Sequence, residues 1–225
     1  MSNDAIEHRT VLDDGYVELV DFMGDEDAVV DAARVSFGKR ATQYTTQQND
    51  GLRRYLKEHQ HNTPFEMVVF KFRVRAPVMV WWHWVRHRMA SYNLISGRYV
   101  PFTETDVHLP QDWRKQDPNA KQGSLDENVS EQLAWSFNAR RNHLYALAFG
   151  LYTDMMAAGV AREQARLVIP FAAVYYDGIV QMNASSLAHF LNLRRAGDAQ
   201  SETRDYADAV YSIVSKTHPK LFPPS

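Results

Sequence analysis

Alternating apolar and polar positions predict the β-strands of this chain. In residues 68–76 every second position is apolar, and the positions between them include a lysine and two arginines. A period of two is typical of a strand with one buried face, which here would leave a basic face on the other side. Residues 15–23 and 171–182 are rich in apolar and β-branched residues, and they predict two further buried strands.

Apolar residues that recur every three or four positions predict the helices. The predicted helices are residues 28–37, 50–59, 78–88, 124–158, 162–168, 184–193 and 200–217. The acidic residues 25–27 favour the start of the first helix. Ser124 and Glu127 match a capping box at the start of the longest one. Residues 39–49 and 100–123 are polar or contain prolines, and they are predicted as loops.

Length and composition limit the class of protein. A chain of 225 residues with 45% hydrophobic content can bury a substantial core, and we expect one domain over residues 1–225. Lys and Arg number 25 and Asp and Glu 27, so the formal net charge is -2 and neither a nucleic-acid nor a membrane partner is expected. The chain shows no leader pattern and no long apolar segment, which predicts a cytoplasmic protein.

The absence of cysteine removes several kinds of chemistry at once. Disulfides, thiolate metal sites, iron–sulfur clusters and a cysteine nucleophile are all excluded. His83 and His87 lie four positions apart, a spacing that can place two imidazoles on one metal when both are helical. Because no third ligand is evident beside them, no metal site is predicted.

Residues 86–99 concentrate three arginines, a histidine, two serines and an asparagine directly after an apolar run. A guanidinium pairs bidentately with phosphate or carboxylate, and the Ser-Gly pair at 96–97 lets the backbone approach a ligand closely. Arg162 and Arg166 form a second basic pair at helical spacing, which suits either an anion clamp or a solvated salt-bridge face. A basic cluster alone is more often a solvated surface, so composition leaves both interpretations open.

A third group of polar residues follows Asn183, which is in position to cap the predicted helix that carries His189 and Arg194. Capping alone would explain this asparagine as well as a ligand contact would. The three tryptophans within residues 81–84 favour a core or an oligomer interface over a cofactor platform.

Several segments, in this order along the chain, resemble those of the flavin-dependent thymidylate synthase (ThyX) family. They are AARVSF at 32–37, HNTPFE at 61–66, the RHR-x7-S motif at 86–96, and the pair VAREQARLVIP at 160–170 and NASSLAHFLNLR at 183–194. The resemblance implies an α+β fold with a mainly antiparallel sheet and flanking helices. It also implies a homotetramer whose active sites combine residues from several subunits.

The same resemblance implies an activity, which is flavin-dependent C5 methylation of dUMP to dTMP. FAD would be the cofactor, NADPH the reductant and methylenetetrahydrofolate the carbon donor. The unrelated class of thymidylate synthase attacks the pyrimidine with a cysteine, so a chain without cysteine is compatible only with different chemistry.

Matching each motif residue to the family implies individual roles. The expected flavin-binding residues are Ser36, His61, Thr63, Arg86, His87, Arg88, Asn183, Ala184, Ser185 and His189. The expected nucleotide-binding residues are His83, Trp84, Val85, Arg86, Leu94, Ile95, Ser96, Gly97, Arg98, Arg166 and Arg194. Arg194 is the expected catalytic residue, because a fixed cation beside the uracil ring lowers the cost of developing negative charge. Ser96 has no evident general base and is assigned to binding.

Three positions depart from the family pattern. His83 stands where glutamine is common, Leu94 where glutamate is common, and Asp198 where histidine is often found. The first two border the expected nucleotide site. Two alternatives therefore stay open, a C5 methylase of the same chemistry that prefers UMP, as in nucleoside-antibiotic pathways, and a flavin- or nucleotide-binding regulatory protein without turnover.

Overall fold

The computed structural model describes residues 7–119 and 122–224. The strands, in chain order, are β1 Glu7–Val11, β2 Gly15–Met23, β3 Val69–Pro77, β4 Ala90–Leu94, β5 Arg114–Gln116, β6 Ser124–Asn128 and β7 Tyr175–Asn183. The helices are α1 Glu26–Arg34, α2 Thr46–Glu58, α3 Val78–Trp84, α4 Glu131–Ala157, α5 Arg162–Ala165, α6 Ala184–Arg194 and α7 Ser201–Thr217. Short 3₁₀ turns follow α1, follow α5 and precede β3 and β7.

The main sheet has five strands in the order β1-β2-β3-β7-β4, and every neighbouring pair is antiparallel. The predicted α+β fold with a mainly antiparallel sheet is therefore confirmed. Strand β3 lies at the centre and pairs with β2 on one side and β7 on the other. Its apolar residues Phe70, Phe72 and Val74 are fully buried, as the alternation predicted.

The opposite face of β3 is basic in sequence but neutralised in the fold. Lys71 pairs with Asp21 at 3.0 Å, and Arg73 approaches Glu18 at 4.0 Å. Arg75 contacts three carboxylates, those of Asp14, Asp106 and Asp177, at 2.8 to 2.9 Å. These cations therefore stabilise the sheet locally and leave the basic clusters elsewhere as the candidates for ligand binding.

Two hydrophobic cores hold the chain together. In the first, α3, α6 and α7 pack on one face of the sheet, with Trp84 stacked on Phe190 at 4.8 Å between ring centroids. The second lies between α4 and the segments around it and includes the fully buried Tyr152. Tyr176 on β7 packs against both cores. No helix within the described ranges has the length and apolarity needed to cross a membrane.

The helix predicted for residues 78–88 is too long, since α3 ends at Trp84. The Tyr92 hydroxyl lies 2.9 Å from the carbonyl oxygen of Trp84 and 2.8 Å from that of His87, so it bridges the chain reversal. The chain then continues as β4. This strand was not predicted from the sequence, because its hydrogen-bond partners come from the distant strand β7.

Two predicted boundaries were also wrong. Ser124 does not cap a helix; it lies in β6 and pairs with Gln116 of β5. Residues 124–128, predicted as helix, therefore form a hairpin with part of the predicted loop. The cap of α4 is Ser130, whose hydroxyl accepts from the Leu133 amide at 3.4 Å. Helix α2 begins earlier than predicted, because Thr45 and Gln48 form a reciprocal capping box inside the predicted loop.

Candidate active site

A large cleft with a volume of about 1470 Å³ lies in the described part of the chain. Residues that follow or end α3 form one wall, and α6 forms the other. Predicted site residues on these walls are His83, Arg86, His87, Arg88, Ser185, His189 and Arg194. The structure therefore brings five of the ten predicted flavin residues together with the predicted catalytic arginine.

Arg194 is held at the C-terminal end of α6 by two hydrogen bonds. Its Nε donates to Nε2 of His87 at 3.0 Å, and Nη2 donates to the carbonyl oxygen of His83 at 3.4 Å. Burial and the neighbouring Arg86 lower the pKa of Arg194. Within residues 7–119 and 122–224 no carboxylate pairs with it, so its charge is available to a ligand in the cleft.

The hydrogen bond from Arg194 requires a neutral His87. Burial, followed by the charges of Arg194 and His189, lowers the pKa of His87 to about 4. Its Nε2 therefore carries a lone pair at neutral pH and accepts the guanidinium N–H. The ring also packs edge-on against Phe190 at 5.1 Å, which orients it. His87 thus orients the guanidinium, whatever further contact it makes with a cofactor.

Asn183 acts as the predicted helix cap, since its Oδ1 accepts from the Ser186 amide at 2.8 Å. The next residues differ in exposure. Ser185 faces the large cleft, while Ala184 is buried and lines a smaller cavity of about 70 Å³ beside it. The N-terminus of α6, with its partial positive charge, is therefore directed towards the cleft.

The predicted flavin residues Ser36, His61 and Thr63 are exposed and do not line the cleft in the isolated chain. Sequence reasoning missed Asn62 and Glu66, which do line it. Both belong to the HNTPFE segment, so the segment was the right signal but individual positions within it could not be ranked.

A second basic cluster surrounds the Ser96–Gly97–Arg98 loop. A Cβ atom on Gly97 would overlap the Phe102 ring and lie 3.4 Å from Nη1 of Arg166, so this loop requires glycine and lies against Arg166. Arg162 donates to the carbonyl oxygen of Tyr99 at 2.8 Å. Among the described residues no carboxylate pairs with Arg98, Arg162 or Arg166, which argues against a salt-bridge face.

The remaining predicted nucleotide residues occupy different surroundings. The Trp84 side chain is buried in the first core, so only its backbone can contact a ligand. Leu94 ends β4 and packs against Gly178, where a Cβ atom would overlap it. The Ile95 amide donates to the carbonyl oxygen of Asp177 at 2.8 Å, and Val85 is exposed just beyond α3.

The two basic groups lie at opposite ends of β4. Arg88 precedes this five-residue strand and Ser96 follows it, and at about 3.4 Å per residue the strand alone spans roughly 17 Å. One chain therefore does not place the Ser96 loop and Arg194 around the same small ligand.

The described residues contain no group of three or more His, Asp or Glu side chains arranged to hold a metal ion. His83 and His87 do not share a helical face, because α3 ends between them. The Ser96 hydroxyl accepts from the Arg98 amide at 3.4 Å and so helps to shape its own loop.

Comparison with known proteins identifies a matching family and similar structures. Residues 18–220 match a family model described as "Thymidylate synthase complementing protein". A flavin-dependent thymidylate synthase of Thermus thermophilus is 43% identical over 209 residues, which cover 93% of this chain and 74% of the relative. That of Thermosipho africanus is 38% identical over 215 residues, covering 94% and 91%. The UMP/dUMP methylase PolB from Streptomyces cacaoi, solved with 5-Br dUMP, superimposes with a TM-score of 0.82 at 31% identity over 95% of both chains.

The fold and these similarities define a thymidylate synthase-type methyltransferase. The chain belongs to the flavin-dependent thymidylate synthase family, because the family model spans most of its length and relatives in the family exceed 30% identity. The resemblance drawn from the short segments is thereby confirmed.

Proposed function

We propose that this protein methylates C5 of a uridine 5′-monophosphate, converting dUMP to dTMP with FAD, NADPH and methylenetetrahydrofolate. The observation that carries this proposal is Arg194, a partly buried cation fixed by a neutral histidine and free of carboxylates within the described chain. The names of the relatives support the same reaction class. The cytoplasmic location stays a prediction from the sequence.

Arg194 has the chemistry to activate the pyrimidine. C5 becomes nucleophilic when negative charge spreads over the uracil ring, and a fixed guanidinium beside the ring lowers the cost of that charge. His87 holds the guanidinium through Nε, so little reorganisation is needed when charge develops. We assign Arg194 to this role.

The cleft suits a flavin dinucleotide. Its volume of about 1470 Å³ exceeds the roughly 300–1,000 Å³ typical of sites for drug-sized ligands. Arg86 and Arg88 would hold the pyrophosphate, and the α6 N-terminus at Ser185 adds partial positive charge. His189 would contact the flavin from the same helix. When bound, the flavin supplies the redox chemistry of the reaction.

The nucleotide phosphate would bind at the second basic cluster. Ser96, Gly97 and Arg98 offer a hydroxyl, a bare backbone and a cation, and Arg166 lies against the loop. Because this cluster is separated from the cleft by β4, we infer that a complete site combines the cleft of one subunit with the Ser96 loop of another.

Helix α4 is the candidate assembly surface. Only Phe149 and Tyr152 of its residues are buried, although the helix is rich in large apolar residues. The exposed ones include Leu133, Trp135, Phe137, Leu144, Leu147 and Leu151. A helix with apolar residues on several sides is normally covered, which supports the proposed homotetramer.

The purified protein is expected to form a tetramer, with a mass by light scattering about four times the 25.9 kDa of the chain. Leu147→Glu places a charge on the apolar surface of α4 and should reduce both the mass and the activity. Met23→Glu, an exposed apolar position at the end of β2, is the control and should retain both. A fully active monomer would refute the shared-site proposal.

The function is tested by incubating the protein with FAD, NADPH, methylenetetrahydrofolate and either dUMP or UMP, and identifying products by mass spectrometry. We expect yellow protein, and dTMP from dUMP. Colourless protein whose addition leaves the FAD spectrum unchanged would overturn the cofactor assignment. Bound flavin without product from either nucleotide would favour the regulatory alternative.

Methylation of UMP is the second candidate function. PolB, whose structures hold 5-Br dUMP and 5-Br UMP, supports it by similarity, with a TM-score of 0.77 and 30% identity for the latter complex. His83 and Leu94 replace residues that are common in the family beside the expected nucleotide. We therefore expect UMP to be accepted measurably beside dUMP, and a preference for dUMP above about a thousandfold would exceed what one unpaired hydroxyl supplies.

A further inference from the structure

A chain of hydrogen bonds connects His83 to the β5–β6 hairpin. Nε2 of His83 lies 3.0 Å from Oε1 of Gln200. Nε2 of Gln200 donates to Oε2 of Glu202 at 2.9 Å, and Oε1 of Glu202 accepts from Nη2 of Arg114 at 2.5 Å. None of these three partners belongs to a segment that carried the family resemblance.

The direction of each hydrogen bond in this series follows from the charge of Glu202. Burial raises the pKa of Glu202, but the hydrogen bonds from Arg114 and Gln200 outweigh it and hold this pKa below its usual value. The ionised carboxylate can only accept, so Gln200 must turn its NH₂ group towards it. The amide oxygen of Gln200 then faces His83 and can only accept a hydrogen bond from its Nε2–H.

The neutral His83 ring is therefore held in one tautomer. Its Nε2 carries the proton, and its Nδ1 carries a bare lone pair. In the part of the chain that the structure describes, Nδ1 has no hydrogen-bond partner. His83 lines the cleft, and its own carbonyl oxygen accepts from Arg194. Residue 83 therefore adjoins the guanidinium that is assigned to the uracil ring.

Hydrogen-bond donors surround Arg194 in the cleft. Arg86, Arg88 and Arg194 offer donors only, and Nε2 of His87 is already used by Arg194. These donors suit the anionic and carbonyl groups of a nucleotide, but none of them can accept from a sugar hydroxyl. The bare Nδ1 of His83 can.

We propose that His83 is a specificity-determining residue whose Nδ1 accepts a hydrogen bond from the 2′-hydroxyl of UMP. Gln200, Glu202 and Arg114 are positioning residues that hold this acceptor in place. The inference rests on the proposed function, since it assumes that the cleft binds a uridine nucleotide. Ribose would then be accepted because hydrogen bonds that begin outside the cleft position His83.

His83→Phe keeps a planar ring and removes both nitrogens, so it tests the acceptor directly. The kcat/KM for UMP should fall about tenfold or more, mainly through KM, while the loss with dUMP should be several times smaller. Dissociation constants of both nucleotides, measured by calorimetry, should change in the same ratio. Equal losses with UMP and dUMP would overturn the assignment to the 2′-hydroxyl.

Gln200→Leu leaves His83 in place and removes the group that fixes its tautomer. UMP should again lose more than dUMP, by a smaller factor than in His83→Phe. Gln122→Leu is the control, because this exposed amide contacts Asp198 at 3.3 Å and not His83. An unchanged UMP to dUMP ratio in Gln200→Leu would overturn the positioning role.

The binding measurements separate this inference from the proposed reaction. Wild-type protein that binds both nucleotides without methylating either would refute the reaction, yet a selective loss of UMP affinity in His83→Phe would still support the acceptor. Failure to bind either nucleotide would refute both.

Discussion

Arg194→Ala should lower the turnover of dUMP by about 100- to 1,000-fold, the usual effect of removing one group that stabilises developing charge. The side chain faces the cleft and has no carboxylate partner among the described residues, so no other interaction competes for its charge. Flavin should stay bound, since Arg86, Arg88 and the α6 N-terminus remain. Steady-state kinetics and the flavin absorbance of the purified variant measure the two effects separately.

The neighbouring arginine provides a matched control. Nε of Arg195 donates to Asp208 at 2.6 Å, and its guanidinium lies 3.6 Å from the centroid of the Tyr211 ring, outside the cleft. Arg195→Ala removes the same chemical group one position away and should retain most of the turnover. Near-normal turnover in Arg194→Ala, or equal losses in both variants, would refute the catalytic assignment.

Gly15→Ala should destabilise the folded chain by ~2–6 kcal/mol, the sum of typical overpacking and unsatisfied hydrogen-bond costs. A Cβ atom at this position would overlap the hydroxyl of Tyr206 and lie 2.7 Å from the Val11 carbonyl oxygen and 2.9 Å from that of Arg75. Tyr206 is fully buried and donates to the Arg75 carbonyl oxygen at 2.7 Å. The new methyl group must therefore displace this hydroxyl from its partner.

Urea unfolding followed by circular dichroism, at equal protein concentrations because assembly adds stability, measures this change. Gly51→Ala is the control, since a Cβ atom in the middle of α2 meets nothing within 4 Å. It should raise the free energy of unfolding by about 0.5–1 kcal/mol. Tyr206→Phe added to Gly15→Ala should recover part of the loss. A Gly15→Ala protein as stable as wild type would show that this contact is dispensable.

Local sequence patterns were sufficient to predict a strand or helix where the segment's own residues show which face is buried. The alternation in residues 68–76 predicted β3, and the apolar character of residues 15–23 predicted β2 with its observed bounds. The helical periodicity near the C-terminus predicted α6 and α7 to within one residue at each end. In each case the segment's own residues form the buried face, so no distant partner was needed to identify it.

The sequence by itself also determined the family and the residue types of the candidate site. The sequence identified Arg86, Arg88 and Arg194 as candidate ligand-binding residues, and the tertiary structure places all three in one cleft. The motif could be recognised because its chemistry depends on a few specific residues at set spacing. Their individual roles stay proposals.

Only the tertiary structure decided which of these residues meet. Strand β4 has only five residues and forms because β7 offers a free edge, a partner more than 80 residues away. Its presence separates the Ser96 loop from the cleft, which no spacing along the chain could reveal. The partners of His83 are likewise remote, since Gln200 lies 117 positions along the chain. Hydrogen bonds and sheet pairing between distant segments leave no period in the local sequence, and for that reason the orientation of the site had to come from the fold.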